Sequence, residues 1–144
     1  MGVSRSVDNE VFLDTAYAIA LANGKDHFHS QAVQLAQQLR TQSTKLVTTR
    51  AVLLKIGNSL SAQRFREAAV KLLDALEADP NVGIVPLTED LYTQALNLYR
   101  TRLDKEWGLV DCFSFIVMRE RQLTNALTTD GHFQQAGFRV LLRE

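Results

Sequence analysis

Short apolar runs alternate along this chain with longer segments of helical periodicity, and this alternation restricts the possible folds more than any other feature. The runs cover residues 11–13, 46–47, 82–85, 126–127 and 138–142, and most are rich in β-branched or aromatic residues. Runs of this kind are typical of buried strands in a parallel sheet. The sequence therefore predicts a central sheet of about five strands.

The segments between these runs repeat apolar residues with the 3.6-residue period of helices. Two pairs of helices are predicted, one over about 50–60 and 62–78 and the other over about 88–103 and 110–121. Thr88, which precedes two acidic residues, is a predicted N-cap. The resulting order, β-α-α-β-α-α-β-α-α-β-α-β, predicts an α/β fold with a mostly parallel sheet and helices on both faces.

Composition and charge exclude several classes of protein. The length of 144 residues is typical of one domain, here 1–144, with residues 1–9 expected as a flexible N-terminal extension. No apolar run approaches the roughly 20 residues of a membrane span, and no signal-peptide pattern begins the chain, so we expect a cytoplasmic protein without a membrane partner. Sixteen basic residues balance sixteen acidic ones, which excludes a uniformly basic nucleic-acid-binding surface but allows a local patch.

Three aspartates occupy positions where an α/β fold collects functional residues. Asp14 ends the first predicted strand, Asp130 follows the fourth, and Asp111 opens the last long helix. Ligands of open parallel sheets bind beyond the carboxyl ends of the strands, so we expect these side chains at one edge of the sheet. Each aspartate alone could be a helix cap or a turn residue. Together, crowded carboxylates favour a divalent cation such as Mg²⁺ or Mn²⁺.

Four segments in chain order carry the most informative motifs. They are FLDT at 12–15, TTRAVLL at 48–54, DCFSF at 111–115 and LTTDGHF at 127–133. This ordered set resembles PIN-domain proteins, which include the VapC-type toxins. The resemblance implies an α/β/α sandwich and Mg²⁺- or Mn²⁺-dependent cleavage of single-stranded RNA. It also implies a homodimer and an antitoxin-like protein partner.

The resemblance assigns roles to individual residues. Asp14, Asp111 and Asp130 match the family's catalytic, metal-binding aspartates, and Thr15 matches a hydroxyl often found beside the first of them. The family's remaining acid is a glutamate on the helix after the second strand, where this chain has Lys55. The resemblance therefore implies an acidic site in which an ammonium group replaces one carboxylate.

Lys55 changes what the site is expected to do. An ammonium group repels divalent ions and attracts carboxylates. We expect Lys55 to point into the aspartate cluster as a counter-ion; the alternative is a side chain that extends to solvent. The expected function is a metal-dependent endoribonuclease that Lys55 impairs, and the alternative is a weak or inactive module that binds RNA or an antitoxin-like protein. A nucleotide-binding domain is disfavoured because the chain has no GxGxxG or GxxxxGK[ST] motif.

A basic segment ahead of the last long helix is a candidate RNA contact. Arg100, Arg102 and Lys105 could hold phosphates while a base stacks on Trp107. A solvated helix end is the competing interpretation.

The histidines and the cysteine are interpreted as structural. His27, His29 and His132 lack the spacing of metal ligands, and His132 is predicted to be a surface turn residue. Cys112 is predicted to be a buried structural cysteine.

Overall fold

A computed structural model describes residues 9–143, and the elements in this range follow the predicted order. The strands are β1 (Glu10–Leu13), β2 (Lys45–Thr49), β3 (Val82–Val85), β4 (Asn125–Leu127) and β5 (Arg139–Val140). The helices are α1 (Thr15–Ala22), α2 (His29–Thr41), α3 (Arg50–Ser59), α4 (Gln63–Ala78), α5 (Glu89–Thr101), α6 (Leu109–Glu120) and α7 (Gly131–Gln135). The expected N-terminal extension lies outside the described residues except for Asn9.

The five strands of the described chain form one sheet in the order β3-β2-β1-β4-β5, and every pairing is parallel. Phe12 of β1 lies opposite Val47 on one side and Ala126 on the other. Successive side chains of a strand point to opposite faces, and Val11, Phe12 and Leu13 are all buried. Both faces of the central strand are therefore covered, as the predicted α/β architecture requires.

The strand order places a switch point at β1. The chain proceeds from β1 to β2 and β3 on one side and reaches β4 and β5 on the other. Parallel strands bring their carboxyl ends to one edge, and a crevice forms where the direction of connection reverses. The residues that follow β1 and β4 therefore lie together at this edge.

Helix caps fix where the helices around this edge begin. The backbone N–H of Val52 donates to Thr49 Oγ1 over 3.0 Å, which sets the start of α3. The predicted N-cap at Thr88 is confirmed, because its Oγ1 accepts from Leu91 N–H over 3.1 Å.

The last strand is shorter than predicted. Residues 138–142 are apolar enough for a full strand, but only Arg139 and Val140 pair with β4. Leu142 remains buried, and its N–H donates to the carbonyl of Thr128 beyond the end of β4. The short length of β4 therefore limits β5. No helix among the described residues is long and apolar enough to cross a membrane.

Candidate metal and nuclease site

Asp14 lies at the carboxyl end of β1 and is only 5% exposed. It occupies the N-cap position of α1, but its carboxylate does not cap the helix. Instead, the Thr128 hydroxyl donates to Asp14 Oδ2 over 2.7 Å. The Thr48 hydroxyl donates to the carbonyl of Leu13 over 2.8 Å and so fixes the end of β1 just before the aspartate. Buried hydrogen bonds from β2 and from the end of β4 thus position this carboxylate.

Burial raises the pKa of Asp14 from 3.8 to about 6. The hydrogen bonds from the Thr128 hydroxyl and the Thr15 backbone N–H lower this pKa, while the Asp111 charge raises it and the Lys55 charge lowers it. Removal of the carboxylate from water is thus the main cause of the raised pKa, and the neighbouring Asp111 charge is a smaller one.

Asp111 and Asp130 lie at the starts of two helices, and the backbone N–H of Asp130 donates to the same Thr128 hydroxyl that contacts Asp14. Asp111 is 5% exposed in the first turn of α6, and its Oδ2 accepts from the N–H of Gly108 over 3.1 Å. Asp130 is the N-cap of α7, and its Oδ1 accepts from the backbone N–H of His132 over 2.8 Å. Capping explains part of each geometry, as the sequence alternative suggested. Even with these capping bonds, one carboxylate oxygen of Asp111 and one of Asp130 lie within 4.8 Å of each other.

His132 belongs to this cluster, which corrects its interpretation as a surface turn residue. Its Nδ1 lies 3.1 Å from Oδ2 of Asp111 and 3.4 Å from Oδ1 of Asp130. One donor atom each from Asp111, Asp130 and His132 lies within 4.8 Å of the other two. Two carboxylates and an imidazole at this spacing could hold one divalent metal ion. The Asp-x-His spacing around the start of α7 is the sequence signal that the interpretation missed.

Thr15 contributes a further polar atom whose bonding is incomplete. Its Oγ1 is buried and has no hydrogen-bond partner in the described part of the chain. A buried hydroxyl without a partner is costly, so such groups usually have a partner that the protein atoms alone do not supply. Thr15 directly follows Asp14, and this orphaned oxygen is consistent with a hydrated ion at the carboxyl edge.

Lys55 lies at the rim of the cluster and does not enter it. Its side chain is exposed on α3, while Val52 and Ile56 of the same helix are fully buried. Its charge lowers the pKa of Asp14. Within residues 9–143, no carboxylate lies close enough to form an ion pair with its Nζ. Lys55 is therefore not a counter-ion inside the cluster. Its side chain extends to solvent, as the alternative interpretation described.

The basic residues at the end of α5 and in the loop before α6 mostly pair with neighbouring side chains. Arg102 donates two hydrogen bonds of 3.0 Å to Asp104, and Lys105 Nζ lies 3.7 Å from the same carboxylate. These cations lower the pKa of Asp104 to about 2. Arg100 is exposed and donates to Asn97 over 2.8 Å. A predicted RNA contact through these residues would have to compete with Asp104.

Trp107 packs into the core, contrary to the open stacking surface expected from the sequence. Its ring is 5% exposed and meets Phe115 edge to face at a centroid distance of 4.9 Å. Its Nε1 donates to Gln135 over 2.9 Å, which ties the loop before α6 to α7. The indole therefore supports the position of the cluster and presents no face to a base.

Cys112 is buried as predicted. Burial raises the pKa of its thiol to about 11, and the Asp111 charge adds to this shift. The thiol therefore remains protonated at neutral pH and is a poor nucleophile.

The sequence and the fold match known proteins over most of the chain. A family model of the PIN domain matches residues 11–139. The 23S rRNA-specific endonuclease VapC20 of two Mycobacterium tuberculosis strains is 31% identical over 128 residues, which are 89% of this chain and 95% of the relative. The crystal structure of M. tuberculosis VapC20, a sarcin-ricin loop cleaving toxin, matches with a TM-score of 0.79 and 30% identity over 89% of this chain and 95% of that one.

Two more distant structures share the fold alone. FitAcB from Neisseria gonorrhoeae matches with a TM-score of 0.62 and 17% identity over 90% of this chain and 95% of that one. VapBC2 from Rickettsia felis, bound to a DNA fragment from its promoter, matches with a TM-score of 0.62 and 14% identity over 91% and 96%.

Proposed function

The chain belongs to the PIN-domain family, and from this membership and the geometry of its carboxyl edge we propose that it is a metal-dependent endoribonuclease that cleaves single-stranded RNA. The main support for the proposal is the group of Asp111, Asp130 and His132, whose donor atoms all lie within 4.8 Å of one another and could bind one ion. Asp14 is connected to this group by Thr128, whose hydroxyl donates to the Asp14 carboxylate and accepts the backbone N–H of Asp130. The activity named for the 31% identical relative supports the same reaction class.

Mg²⁺ or Mn²⁺ is the proposed cofactor, held by Asp111, Asp130 and His132 with Asp14 beside them. A divalent ion bound there supplies a Lewis acid for phosphodiester hydrolysis. The chain contributes the positions of the ligands: Thr128 orients Asp14, and the Gly108 N–H orients Asp111. Burial of Asp14 and Asp111 keeps these carboxylates at fixed geometry before any ligand arrives.

The proposed substrate class is ribosomal RNA in a single-stranded or loop region. This assignment extends the activity of the relative VapC20, a 23S rRNA-specific endonuclease and sarcin-ricin loop cleaving toxin. Lys55 at the rim, together with Arg100 and Arg102 ahead of α6, supplies cations that could attract phosphate.

The test compares cleavage of a sarcin-ricin hairpin and of an unstructured RNA by the parent chain and by Asp111→Asn, each with Mn²⁺ or with EDTA. We expect cleavage only by the parent and only with metal, with Asp111→Asn reduced about a hundredfold or more. Equal cleavage by both proteins, or cleavage that persists in EDTA, would exclude the proposed site.

A non-catalytic RNA-binding module is the second candidate, favoured by the positive charge of Lys55 beside Asp14. In the same assay this module would bind the RNA and leave it intact, with or without Mn²⁺. If the module is inactive only because Lys55 stands in place of the family's glutamate, Lys55→Glu should produce cleavage.

A homodimer is the proposed assembly, and an antitoxin-like protein is a proposed further partner. Support for the homodimer comes from exposed apolar side chains at Leu54, Leu87 and Tyr92, which surround a cavity of about 290 Å³ beside Lys55. Light scattering tests it: the parent should elute as a dimer and Leu54→Glu as a monomer. An apolar groove of about 250 Å³ between α1, α2 and α4 is a candidate surface for an amphipathic segment of the antitoxin-like partner.

A further inference from the structure

A shallow cavity lies at the carboxyl edge, next to residues of the candidate metal site. Its volume is about 340 Å³, and it is lined by Ala16, Ile19, Asp26, His27, Phe28 and Thr129. Thr129 is flanked in the chain by Thr128 and Asp130, both of which belong to the site. Ala16 on α1 lies two residues after Asp14. A ligand in this cavity therefore lies beside the proposed site of cleavage.

The loop over residues 23–28 forms one wall of the cavity, and local contacts hold its shape. Oδ1 of Asp26 accepts from the backbone N–H of Phe28 over 2.9 Å, and the Asp26 carbonyl accepts from the N–H of His29 over 3.0 Å. His27 is exposed, and its ring meets the ring of Phe28 edge to face at a centroid distance of 4.9 Å. The loop thus presents a carboxylate and an aromatic ring to the same cavity.

These lining groups suit one nucleobase. The volume is at the small end of the range for ligand pockets, about 300–1,000 Å³, so the cavity suits a flat ring system better than a protein segment. An imidazole at its wall can stack on a base, as aromatic side chains do in sites for single-stranded RNA. Ala16 and Ile19 add apolar contact surface.

The carboxylate of Asp26 determines which base fits best. A carboxylate has about four acceptor positions, so the bond from the Phe28 N–H leaves it able to accept from a ligand. Guanine presents two adjacent N–H donors on its Watson–Crick edge, which a carboxylate can accept together. Adenine and cytosine place a ring-nitrogen acceptor beside their amino group, and this acceptor would face the carboxylate unfavourably.

The charges around the same loop favour RNA as the ligand. Residues 23–25 of the loop line a second cavity together with Arg64, whose guanidinium carbon lies 4.8 Å from the centroid of the Phe65 ring. Lys25 and Arg64 are exposed cations that can attract phosphates. The loop therefore has a base-sized cavity on one side and two cations for an RNA backbone on the other.

We propose that the cavity formed by Asp26, His27 and Thr129 binds a guanine base of the RNA substrate next to the phosphate that is cleaved. This inference rests on the proposed function, because it assigns a base preference to the same site. The His27 ring stacks on the guanine, and the Asp26 carboxylate accepts from its N1–H and its amino group. Asp26 and His27 are therefore specificity-determining residues.

RNA binding in EDTA measures the base preference without metal or cleavage. Fluorescence anisotropy compares two labelled oligouridines that carry one guanine or one adenine at the same position. The parent should bind the guanine RNA about fivefold or more tightly than the adenine RNA. Asp26→Asn keeps the acceptor oxygen for the Phe28 N–H but replaces the other oxygen by a donor, so the two affinities should differ by less than about twofold.

Asp79→Asn is the matched control for this substitution. Asp79 forms an equivalent turn before β3, in which its Oδ1 accepts from the backbone N–H of Asn81 over 2.8 Å. It makes the same chemical change away from the cavity, so it should keep the parent's preference for guanine.

Two substitutions of His27 test the stacking contact. His27→Ala should bind the guanine RNA about three- to tenfold more weakly than the parent, because the ring is lost. His27→Phe keeps an aromatic face and should stay within about twofold of the parent. His27 is exposed, so neither substitution is expected to disturb folding.

The outcomes separate this inference from the proposed function. A parent without a preference for guanine, an unchanged preference in Asp26→Asn, or equal affinities of His27→Ala and His27→Phe would each overturn the inference. A parent that prefers guanine but cleaves no RNA with Mn²⁺ would support the base cavity and overturn the nuclease. A parent that cleaves RNA with Mn²⁺ but shows no preference would do the reverse.

Discussion

The hydroxyl of Thr128 donates to Oδ2 of Asp14 over 2.7 Å and, through the same oxygen, accepts the backbone N–H of Asp130 over 3.0 Å. One buried side chain therefore connects the two aspartates that end β1 and follow β4. Thr128 is fully buried, so neither bond competes with water. This hydroxyl fixes the Asp14 carboxylate relative to the backbone of Asp130 before any cation binds.

Thr128→Val replaces this hydroxyl by a methyl group of nearly the same shape. The pKa of Asp14 should rise above about 6, because the Thr128 hydrogen bond lowers it, and the protein should lose about 1–3 kcal/mol of unfolding free energy. NMR titration of the carboxyl carbons and urea unfolding measure the two effects. Thr129→Val is the control, since its hydroxyl forms no hydrogen bond within residues 9–143. An unchanged Asp14 pKa in Thr128→Val would contradict the assigned contact.

Asp14 makes the metal-free protein less stable as the pH rises. Its carboxyl has a pKa of about 6 when folded and about 3.8 when unfolded, so the folded chain binds the proton more tightly. The stability from this proton is fully present below about pH 3.8 and is lost as the pH rises through about 6.

Asp14→Asn removes this loss because the amide does not ionise. In EDTA at pH 7.5, the variant should be more stable than the parent by about 1–3 kcal/mol, and at pH 4 the two should be nearly equal. Urea unfolding at both pH values measures the difference. Asp74→Asn, at an exposed position on α4, should show no such pH-dependent gain. A variant less stable than the parent at pH 7.5 would show that Asp14 is not penalised by burial.

In the proposed site His132 supplies a nitrogen ligand, which favours transition metals over Mg²⁺. His132→Gln should therefore weaken Mn²⁺ binding about tenfold or more, while Mg²⁺ binding changes by a smaller factor. Calorimetry with both ions measures this selectivity. His29→Gln provides the control, because that imidazole contacts the carbonyl of Ala20 away from the cluster. Equal losses for the two metals would mean that the imidazole does not contact the ion.

Asp104 pairs with Arg102 and Lys105 ahead of α6, so its removal tests whether these two cations contact RNA. Asp104→Asn should release Arg102 and Lys105 and raise RNA affinity about two- to fivefold at low salt, with a steeper salt dependence. Arg102→Gln should act in the opposite direction. Arg119→Gln changes a charge at the far end of α6 and should have no effect. If Asp104→Asn leaves both affinity and salt dependence unchanged, this segment does not contact RNA.

The order of the elements and the edge that carries the aspartates could be predicted because they depend on local patterns. Buried parallel strands and amphipathic helices each leave a recognisable spacing, and the topology of a parallel sheet then brings Asp14 and Asp130 to one edge. The end of β5 could not be predicted, since Leu142 is as apolar as a strand residue but lies beyond the end of β4.

The parts of the site that could not be predicted depend on contacts between distant segments. His132 joins the cluster because α7 turns its ring toward Asp111, 21 residues earlier. Trp107 follows basic residues in a pattern typical of RNA contacts, yet Phe115 and Gln135 hold its ring in the core. The exposure of Lys55 likewise depends on how α3 packs. The spacing of apolar residues in this helix does not decide whether Lys55 points into the site or to solvent.

The central claim is that Asp111, Asp130 and His132 hold a divalent ion at the carboxyl edge of the sheet. Anomalous diffraction from crystals grown with Mn²⁺ locates the ion directly. We expect one anomalous peak per chain within about 2.0–2.3 Å of an oxygen from each aspartate and of His132 Nδ1. A peak at other residues, or none at a Mn²⁺ concentration that supports RNA cleavage, would contradict the claim.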